Sequence, residues 1–443
     1  MRNLKHNYWF KSGFFTIGQR LSVPFFGVGS FLILIRTLSE EEMGAWALFL
    51  NIITIFEVAR NGLIKGAIIR YFNGFREEQE SIKASSFVVN TIYTVLSTGL
   101  LLLIANHTAT WLNTPALENM LYLYSINALL MLPFSHFEYV QQSNMNFKGV
   151  FYSYFAKQGI FFLLVLVWSF FVSDILNPWF LVLFQSVAIL LATIISLRFT
   201  LPFLNKSFKV SKKWVSKLWD FGKYGFYTNL SNSGLTSTDH FLIGGIVSTA
   251  SVAIYNASAR ITNIFILPSV AIADILYPKS VAALTENGTE EVKDLYEKAV
   301  GATLVPMLPV MIIIFLFPEP LINILAGEKY IEAAPILQIA ILGILILPFL
   351  KQFGTIMNTI DKPHYNFYFV LTLAILNLLS NYLLIHQFGI IGAAYGTFFS
   401  YFIGFIMSQL ILKKLINSSI LTVFKNTLFF YRKAFQIIKS KIN

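Results

Sequence analysis

Apolar residues run along this chain in long blocks separated by short polar connections. Each block approaches or exceeds about twenty residues, the length that an α-helix needs to cross a hydrocarbon core of about 30 Å. Membrane β-strands would be shorter and would alternate apolar with polar residues, so helices are the predicted spanning elements. Hydropathy and turn residues predict twelve spans, near residues 12–36, 43–72, 84–106, 117–141, 150–172, 178–199, 221–247, 251–280, 296–318, 332–359, 364–386 and 390–412.

Composition supports an all-α integral membrane protein. The 443 residues are 56% hydrophobic and 12% charged, whereas about a quarter of the residues of a soluble globular protein are charged. The N-terminus opens with basic residues like a signal peptide, but its apolar run is too long and lacks a small-residue cleavage site, so we expect a retained first span. The absence of cysteine from the sequence excludes disulfides, thiolate metal sites and a cysteine nucleophile.

The net charge of +11 is distributed as membrane proteins distribute it. Most of the Lys and Arg residues fall in the two tails and in alternate connections, and others fall inside spans. Lys329 is alone in the opposite loops, and Arg36 lies at their rim. This asymmetry follows the positive-inside rule and predicts that both termini are cytoplasmic. It also argues against nucleic acid as the partner of the basic residues.

The longest connection, LPFLNKSFKVSKKWVSKLWDFGKYG (201–225), divides six spans from six. Its lysines alternate with Trp214, Leu218 and Trp219, which predicts an interfacial amphipathic segment against anionic lipid headgroups. The basic end of the chain has the same character. The predicted domains are an N-terminal six-helix lobe (1–200), a cytoplasmic linker (201–220), a C-terminal six-helix lobe (221–412) and an amphipathic tail (413–443).

Two hairpins of the sequence resemble each other: FLILIRTLSEEEMGAWALFLNIITIF (31–56) and FLIGGIVSTASVAIYNASARITNIF (241–265). Each has a span, a very short outer loop, a small residue two positions before an aromatic residue, and a second span. Because an even number of crossings separates the hairpins, they predict two parallel halves related by an axis along the membrane normal. Such internal repeats are typical of transporters.

At these positions the sequence resembles the oligosaccharide flippases of the MATE-like (MOP) superfamily. The segment DHFLIGGIVSTASVAIYNASARITNIFILPSVAIADILYPKSVAAL (239–283) resembles the seventh and eighth helices of that family. ILAGEKYIEAAPILQIAILG (324–343) and FGIIGAAYGTFFSYFIGFI (388–406) resemble its tenth and last helices, and LSEEEMGAWALF resembles its first hairpin. The resemblance therefore extends over most of the chain.

The resemblance implies two six-helix lobes around a central cavity. It further implies export of polyprenyl-pyrophosphate-linked oligosaccharides across the bacterial inner membrane. We predict that export occurs by alternating access, with membrane lipids and polysaccharide assembly proteins as further partners. Members of the lipid II branch usually have two additional helices, so twelve spans favour the O-antigen and capsule type.

The second predicted span contains charges that lipid would not tolerate. Each charge costs about 2.5 to 3.5 kcal/mol at the centre of a helix on the insertion scale. Glu57, Arg60, Asn61 and Lys65 lie within an arc of roughly 140°, so they form one polar stripe that must face the protein interior or water. Glu57 and Arg60, three residues apart, could pair with each other, which would leave Lys65 without a partner.

The predicted spans contain more buried cations than acids. Arg20, Lys157, Arg260 and Lys351 add to those of the second span, whereas the candidate acids are Glu57, Glu138, Asp239 and Asp274. A cationic surplus favours an anionic ligand such as pyrophosphate, which arginine binds as a planar fork and lysine as a point charge. The predicted pyrophosphate-binding residues are Arg20, Arg60, Lys65, Arg260 and Lys351.

By resemblance, the lipid II branch has cavity arginines on its first, second and eighth helices, and Arg20, Arg60 and Arg260 agree with these by helix only. For Arg20, snorkelling to the interface is an equal alternative. No cofactor is expected apart from a coupling proton or sodium ion. Asp239 and His240 could bind such an ion, with Glu57 and Asp274 as rivals, or they could make structural hydrogen bonds.

Two other functions remain alternatives. A membrane glycosyltransferase or polymerase could use the acidic EEE at 40–42, but the predicted outer loops are short and the sequence has none of the short catalytic motifs. The prediction is therefore not an enzyme. An ion-coupled antiporter for cationic drugs, of the same superfamily, would prefer an acidic cavity.

Gly392, Gly396, Ser400 and Gly404 predict only close helix packing.

Overall fold

The structure is a computed structural model. It describes the backbone of residues 2–171, 177–204 and 207–442, and within these ranges the side chains other than those of 2–14, 16–17, 20–21, 73–74, 76, 235–236, 274, 278, 285, 287, 363, 434–435 and 437–442. The described chain is helical, with short turns and no strand among the described residues. The predicted all-α fold is confirmed.

The helices of the described chain are numbered in order. Their bounds are α1 Arg2–Thr37, α2 Glu40–Gly74, α3 Gln79–Trp111, α4 Pro115–Ser143, α5 Phe147–Phe171, α6 Pro178–Thr200, α7 Lys212–Ile246, α8 Thr249–Asn263, α9 Ile266–Asn287, α10 Thr289–Leu316, α11 Pro318–Ala326, α12 Ala333–Thr359, α13 Pro363–Phe388, α14 Ile390–Ile416 and α15 Ile420–Ile442. Short 3₁₀ turns occupy Arg76–Glu78, Leu201–Phe203 and Glu328–Tyr330.

Among the described residues, 10 helical segments are long and apolar enough to cross a membrane. They coincide with ten of the twelve predicted spans. The first predicted span lies on α1, in which the described apolar segment, Ser22–Thr37, is shorter than these ten. The seventh lies on α7, which is helical but carries the polar run Ser231–Asp239. The chain is therefore a multi-pass membrane protein.

The eighth predicted span is interrupted in the structure. Helix α8 ends at Asn263 and α9 begins at Ile266, with a tight turn in which Phe265 N–H donates to the Thr262 carbonyl at 3.1 Å. Pro268 explains the break, because a proline has no N–H to donate to the carbonyl four residues earlier and its ring clashes there.

The chain divides into two compact units. Unit 1 contains Met1–Ser237 and Ser248–Ala253, and unit 2 contains Thr238–Val247 and Ile254–Asn443. The division falls within α7. The predicted linker and α7 as far as Ser237 thus belong with the N-terminal helices.

The acidic run at the start of α2 has a structural role. The Ser39 hydroxyl accepts the Glu42 N–H at 3.2 Å, and the Glu42 carboxylate accepts the Ser39 N–H at 2.9 Å. This reciprocal capping box satisfies N–H groups that the first turn leaves unpaired. Three acids there also complement the positive end of the helix dipole.

Helices α2 and α7 approach each other closely within unit 1. A Cβ at Gly222 would overlap the Leu63 carbonyl oxygen, and a Cβ at Gly225 would overlap that of Gly62. Small residues allow such backbone contact. In unit 2, Gly392 and Gly396 on α14 similarly face the backbone and side chains of α13, so the predicted packing stripe is confirmed.

The linker packs against the ends of α2 and α3 rather than lying free at an interface. Trp214 is fully buried, whereas Trp219 is half exposed. The interfacial prediction is therefore wrong for Trp214. Its indole N–H donates to Glu78 at 2.6 Å, and the Lys213 ammonium donates to the same carboxylate at 2.9 Å. These two donors, Lys213 first, hold the pKa of Glu78 below its usual value.

The tail forms the amphipathic helix α15, which packs along α10. The Thr427 hydroxyl donates to the Gly301 carbonyl at 3.4 Å, and the Tyr431 hydroxyl donates to the Val305 carbonyl at 2.6 Å. The buried Glu297 carboxylate accepts the N–H of Ser419 at 2.7 Å. Leu421 and Leu428 remain exposed on the other side of the helix.

Candidate functional site

A buried ionic cluster occupies the interior of unit 1. Its first pair joins Glu57 and Arg60, whose side chains are 23% and 2% exposed, with the Arg60 Nη1 atom 3.2 Å from a Glu57 oxygen. The Tyr124 hydroxyl donates to the same carboxylate at 2.7 Å. Arg60 also lies over the Tyr93 ring, 5.7 Å from its centroid. Burial is thus offset by pairing, as a buried charge requires.

The second pair joins α2 to α4. The Lys65 ammonium lies 2.9 Å from Glu138, whose side chain is 3% exposed, while that of Lys65 is 34% exposed. Gln142 donates to Glu138 at 3.0 Å and the Tyr154 hydroxyl donates at 2.7 Å. Both oxygens of Glu138 therefore accept at least one hydrogen bond.

Two more tyrosines complete this polar wall. The Tyr139 hydroxyl donates to the Asn61 amide oxygen at 2.8 Å, and the Tyr93 hydroxyl donates to the Phe56 carbonyl at 2.7 Å. The predicted polar stripe of α2 thus faces helices of its own unit, as expected. Each tyrosine contributes a large apolar surface and one hydrogen-bond donor, which suits an interior that holds both apolar and charged side chains.

The pairing corrects one sequence-based expectation. Lys65 was expected to lack a partner if Glu57 and Arg60 paired, yet Glu138 provides one. Periodicity along one helix could not reveal this contact, because the two residues are 73 positions apart. Arg60 and Lys65 are therefore both matched by carboxylates.

A second buried cluster surrounds Asp239 in unit 2. The Tyr255 hydroxyl donates to its carboxylate at 2.6 Å and the Thr397 hydroxyl at 3.0 Å. The Asn381 amide also donates to it, and Asn377 donates to the Thr397 hydroxyl at 3.1 Å. Among the side chains that the structure describes, no Lys or Arg forms an ion pair with Asp239.

The Asp239 cluster is rich in oxygen. Besides the carboxylate it contains the Thr397 hydroxyl and the amide oxygen of Asn377, and the buried amide oxygen of Asn381 accepts no hydrogen bond from the described residues. Carboxylate, hydroxyl and amide oxygens are the ligands that hard cations prefer. The same carboxylate could instead take up a proton, since burial without a cation disfavours its charged form.

The other predicted residues are dispersed. His240 is buried and meets the Tyr255 ring edge-on at a centroid distance of 5.4 Å. Arg260 acts electrostatically on His240, and Lys351 is exposed. The side chains of Arg20 and Asp274 lie outside the described residues. The pyrophosphate-site assignment therefore stays a prediction.

Sequence reasoning missed the uncharged members of both clusters. These residues are Tyr93, Tyr124, Tyr139, Tyr154, Asn377, Asn381 and Thr397. One signal was present: Asn377 and Asn381 are four residues apart on an apolar span, where polar amides on one helix face indicate an internal contact. The tyrosines gave no comparable signal, since most membrane aromatics belong to the interfacial belts or the core.

Comparison with known proteins places this chain near glycan transporters. The model of a family described as polysaccharide biosynthesis protein matches residues 33–335. An uncharacterised membrane protein of Methanocaldococcus jannaschii is 32% identical over 213 residues, covering 48% of this chain and 42% of the relative. The probable low-salt glycan biosynthesis flippase Agl15 of Haloferax volcanii is 24% identical over 216 residues, covering 48% and 46%. The alignments thus span less than half of the length of these curated relatives.

Solved structures show the same fold. A multidrug resistance MATE family transporter of the MOP superfamily, in an inward-facing conformation, aligns with a TM-score of 0.75 at 16% identity over 90% of this chain and 99% of that chain. The lipid II flippase MurJ, inward closed, aligns with a TM-score of 0.75 at 14% identity over 96% and 92%. These neighbours are named as transporters or flippases, which agrees with the prediction that the chain is not an enzyme. The predicted resemblance to the superfamily is confirmed.

Proposed function

Because the chain belongs to the polysaccharide biosynthesis protein family, we propose that it flips lipid-linked glycans from one leaflet of a membrane to the other. The family match over residues 33–335 carries this proposal. It is supported by the relative named as a glycan biosynthesis flippase and by the fold shared with a lipid II flippase. The proposed cargo is a polyprenyl-phosphate or polyprenyl-pyrophosphate lipid that bears an oligosaccharide.

The interior of unit 1 suits an anionic headgroup better than a cationic drug. The buried ionic cluster and its neighbour Lys157 together hold the cations Arg60, Lys65 and Lys157 against the carboxylates Glu57 and Glu138. A cationic drug would lose its hydration there without gaining a free carboxylate, since both acids are already bonded. A phosphate would instead meet a surplus of positive charge. The antiporter alternative is therefore the weaker candidate.

We further propose that the basic side of the protein faces the cytoplasm, where the glycan is loaded. The positive-inside asymmetry of the sequence supports this orientation. The proposed membrane is the bacterial inner membrane, and the proposed cargo is a repeat unit of the O-antigen or capsule type.

The same proposal assigns ion coupling to the Asp239 cluster. A transporter that moves its cargo against the cargo's own gradient needs a second gradient to drive it, and the oxygen set of Asp239, Thr397 and the two asparagines fits either sodium or a proton. When bound, such an ion would supply positive charge to a carboxylate that lacks a cationic partner among the described residues.

Reconstitution tests the proposed function directly. The purified chain is placed in liposomes that contain a fluorescent polyprenyl-pyrophosphate oligosaccharide, and a membrane-impermeant reductant reports which leaflet holds the dye. Translocation above that of protein-free liposomes is expected. Ethidium transport in the same vesicles tests the antiporter alternative. Ethidium movement without glycan-lipid movement would overturn the proposal.

A further inference from the structure

Lys157 on α5 differs from Arg60 and Lys65, the two cations of the buried ionic cluster. Its half-buried ammonium lies over the Phe134 and Tyr154 rings, at 5.1 and 5.2 Å from their centroids. Arg60 and Lys65 each contact a carboxylate, but Lys157 has neither a carboxylate nor a hydrogen-bond acceptor within reach among the described side chains. An ammonium has three N–H donors, and a cation–π contact satisfies none of them.

The neighbouring carboxylates are already engaged. One oxygen of Glu57 accepts from Tyr124 and both contact Arg60, while the oxygens of Glu138 accept from Lys65, Gln142 and Tyr154. Glu57 and Glu138 act on Lys157 electrostatically, yet neither is bonded to it. The surplus positive charge of the cluster therefore resides on Lys157.

We propose that Lys157 binds the phosphate oxygens of the lipid-linked cargo, a role that rests on the proposed function. Phosphate oxygens are strong acceptors, and a lysine engages them as a point charge with several donors. The ammonium lies over two adjoining aromatic rings and is bonded to neither carboxylate, so its donors stay available. Arg60 and Lys65, by contrast, position the tyrosine and carboxylate wall around the site.

The chain contains no cysteine, which allows a charge to be removed and chemically restored at this position. In K157C the single thiol is converted to a mixed disulfide, with methanesulfinate leaving, by a methanethiosulfonate that adds either an ethylammonium-thio group or a neutral methylthio group. K148C is the matched control: Lys148 is on the same helix and also contacts an aromatic ring, but its side chain is exposed.

The probe is farnesyl pyrophosphate, and binding to the full chain in detergent is measured by calorimetry beside farnesol and inorganic pyrophosphate. K157C should weaken farnesyl pyrophosphate binding by about tenfold to a hundredfold, as loss of a hydrogen bond to a charged group does. The ethylammonium reagent should restore most of the affinity, and the neutral reagent should not. K148C should bind like the unmodified chain, and farnesol affinity should not change in any variant.

The arms with farnesol and pyrophosphate identify the source of the phosphate. Binding of inorganic pyrophosphate as tight as that of farnesyl pyrophosphate would replace the lipid cargo by a free anion and overturn the assignment. Unchanged affinity in K157C, or restoration by both reagents or by neither, would also overturn it. If the wild-type chain does not flip glycan lipid, the proposed function is refuted, even if binding of farnesyl pyrophosphate still depends on Lys157. If K157C flips glycan lipid as well as the wild-type chain does, only the role of Lys157 is refuted.

Discussion

The Lys65 ammonium lies 2.9 Å from the Glu138 carboxylate and joins two helices of unit 1 inside the membrane. The two ends of the pair are unequal, since Lys65 is 34% exposed and Glu138 only 3% exposed. A charge that loses its partner is costly in proportion to its burial. Removing Lys65 therefore strands the more deeply buried member, whereas removing Glu138 strands the more accessible one.

K65M is accordingly expected to lower the free energy of unfolding by about 1 to 3 kcal/mol, and E138Q is expected to lower it by less. The double variant should recover part of the loss, because neither charge is then stranded. Melting in detergent, followed by size-exclusion chromatography, measures all three. The exposed pair Asp294 and Lys298, 50% and 53% exposed, provides the control, and D294N should have almost no effect. A larger loss in E138Q than in K65M would contradict the argument.

How much of the fold the sequence predicts depends on whether a feature has a signal in its own segment of the chain. Ten spans were predictable because each carries its own apolar run, and the Gly392 stripe because its spacing is local. The break before Pro268 had a local cause too. Contacts between distant residues, such as Trp214 with Glu78, had no local signal, and the amphipathic pattern around Trp214 was equally typical of a membrane surface.

The candidate sites divide in the same way. The polar stripe of α2 was visible because Glu57, Arg60 and Lys65 share one helix face. The partners of Lys65 and Asp239 come from helices far along the chain. Counts of acidic and basic residues therefore could not show which charges are paired and which are in excess. Lys157 was noticed as a charge, but only the geometry distinguishes it from Arg60 and Lys65.

Gly222 and Gly234 on α7 should respond oppositely to the same substitution. A Cβ at Gly222 would overlap the Leu63 carbonyl oxygen, whereas nothing lies within 4 Å of a Cβ at Gly234. G222A should therefore destabilise the protein by about 1 to 3 kcal/mol. G234A should be neutral or stabilising by about 0.5 to 1 kcal/mol, since alanine restricts the unfolded chain more than glycine does. Thermal melting of both variants distinguishes these signs, and equal effects would contradict the close contact of α2 and α7.

Docking of the linker on Glu78 should depend on pH. The bonds from Lys213 and Trp214 lower the pKa of Glu78 in the folded protein. A carboxyl with a lowered folded pKa stabilises the fold above its unfolded pKa of about 4.3, and that contribution disappears as the pH falls through the folded value. E78Q should thus increase hydrogen exchange of residues 207–218 at neutral pH and make little difference below the folded pKa. D220N, which alters an exposed carboxylate on the helix that carries Lys213 and Trp214, should leave that exchange unchanged at both pH values.

Asp239 is the residue whose neutralisation should separate ion coupling from folding. In D239N the amide oxygen can still accept from Tyr255 and Thr397, and the new N–H group can donate to the amide oxygen of Asn381 once that amide turns over, so the cluster should keep its shape. The negative charge that would hold a sodium ion or a proton is lost. Flipping in liposomes should therefore become independent of imposed sodium and proton gradients, while the melting temperature stays close to that of the wild type.

T397V provides the matched comparison, because it removes one oxygen and keeps the charge. Weakened sodium dependence in T397V would indicate that sodium is the coupling ion, whereas dependence on pH alone would indicate a proton. A D239N protein that still responds to either gradient as the wild type does would exclude Asp239 from coupling and leave it as a structural hydrogen-bond acceptor between helices of unit 2.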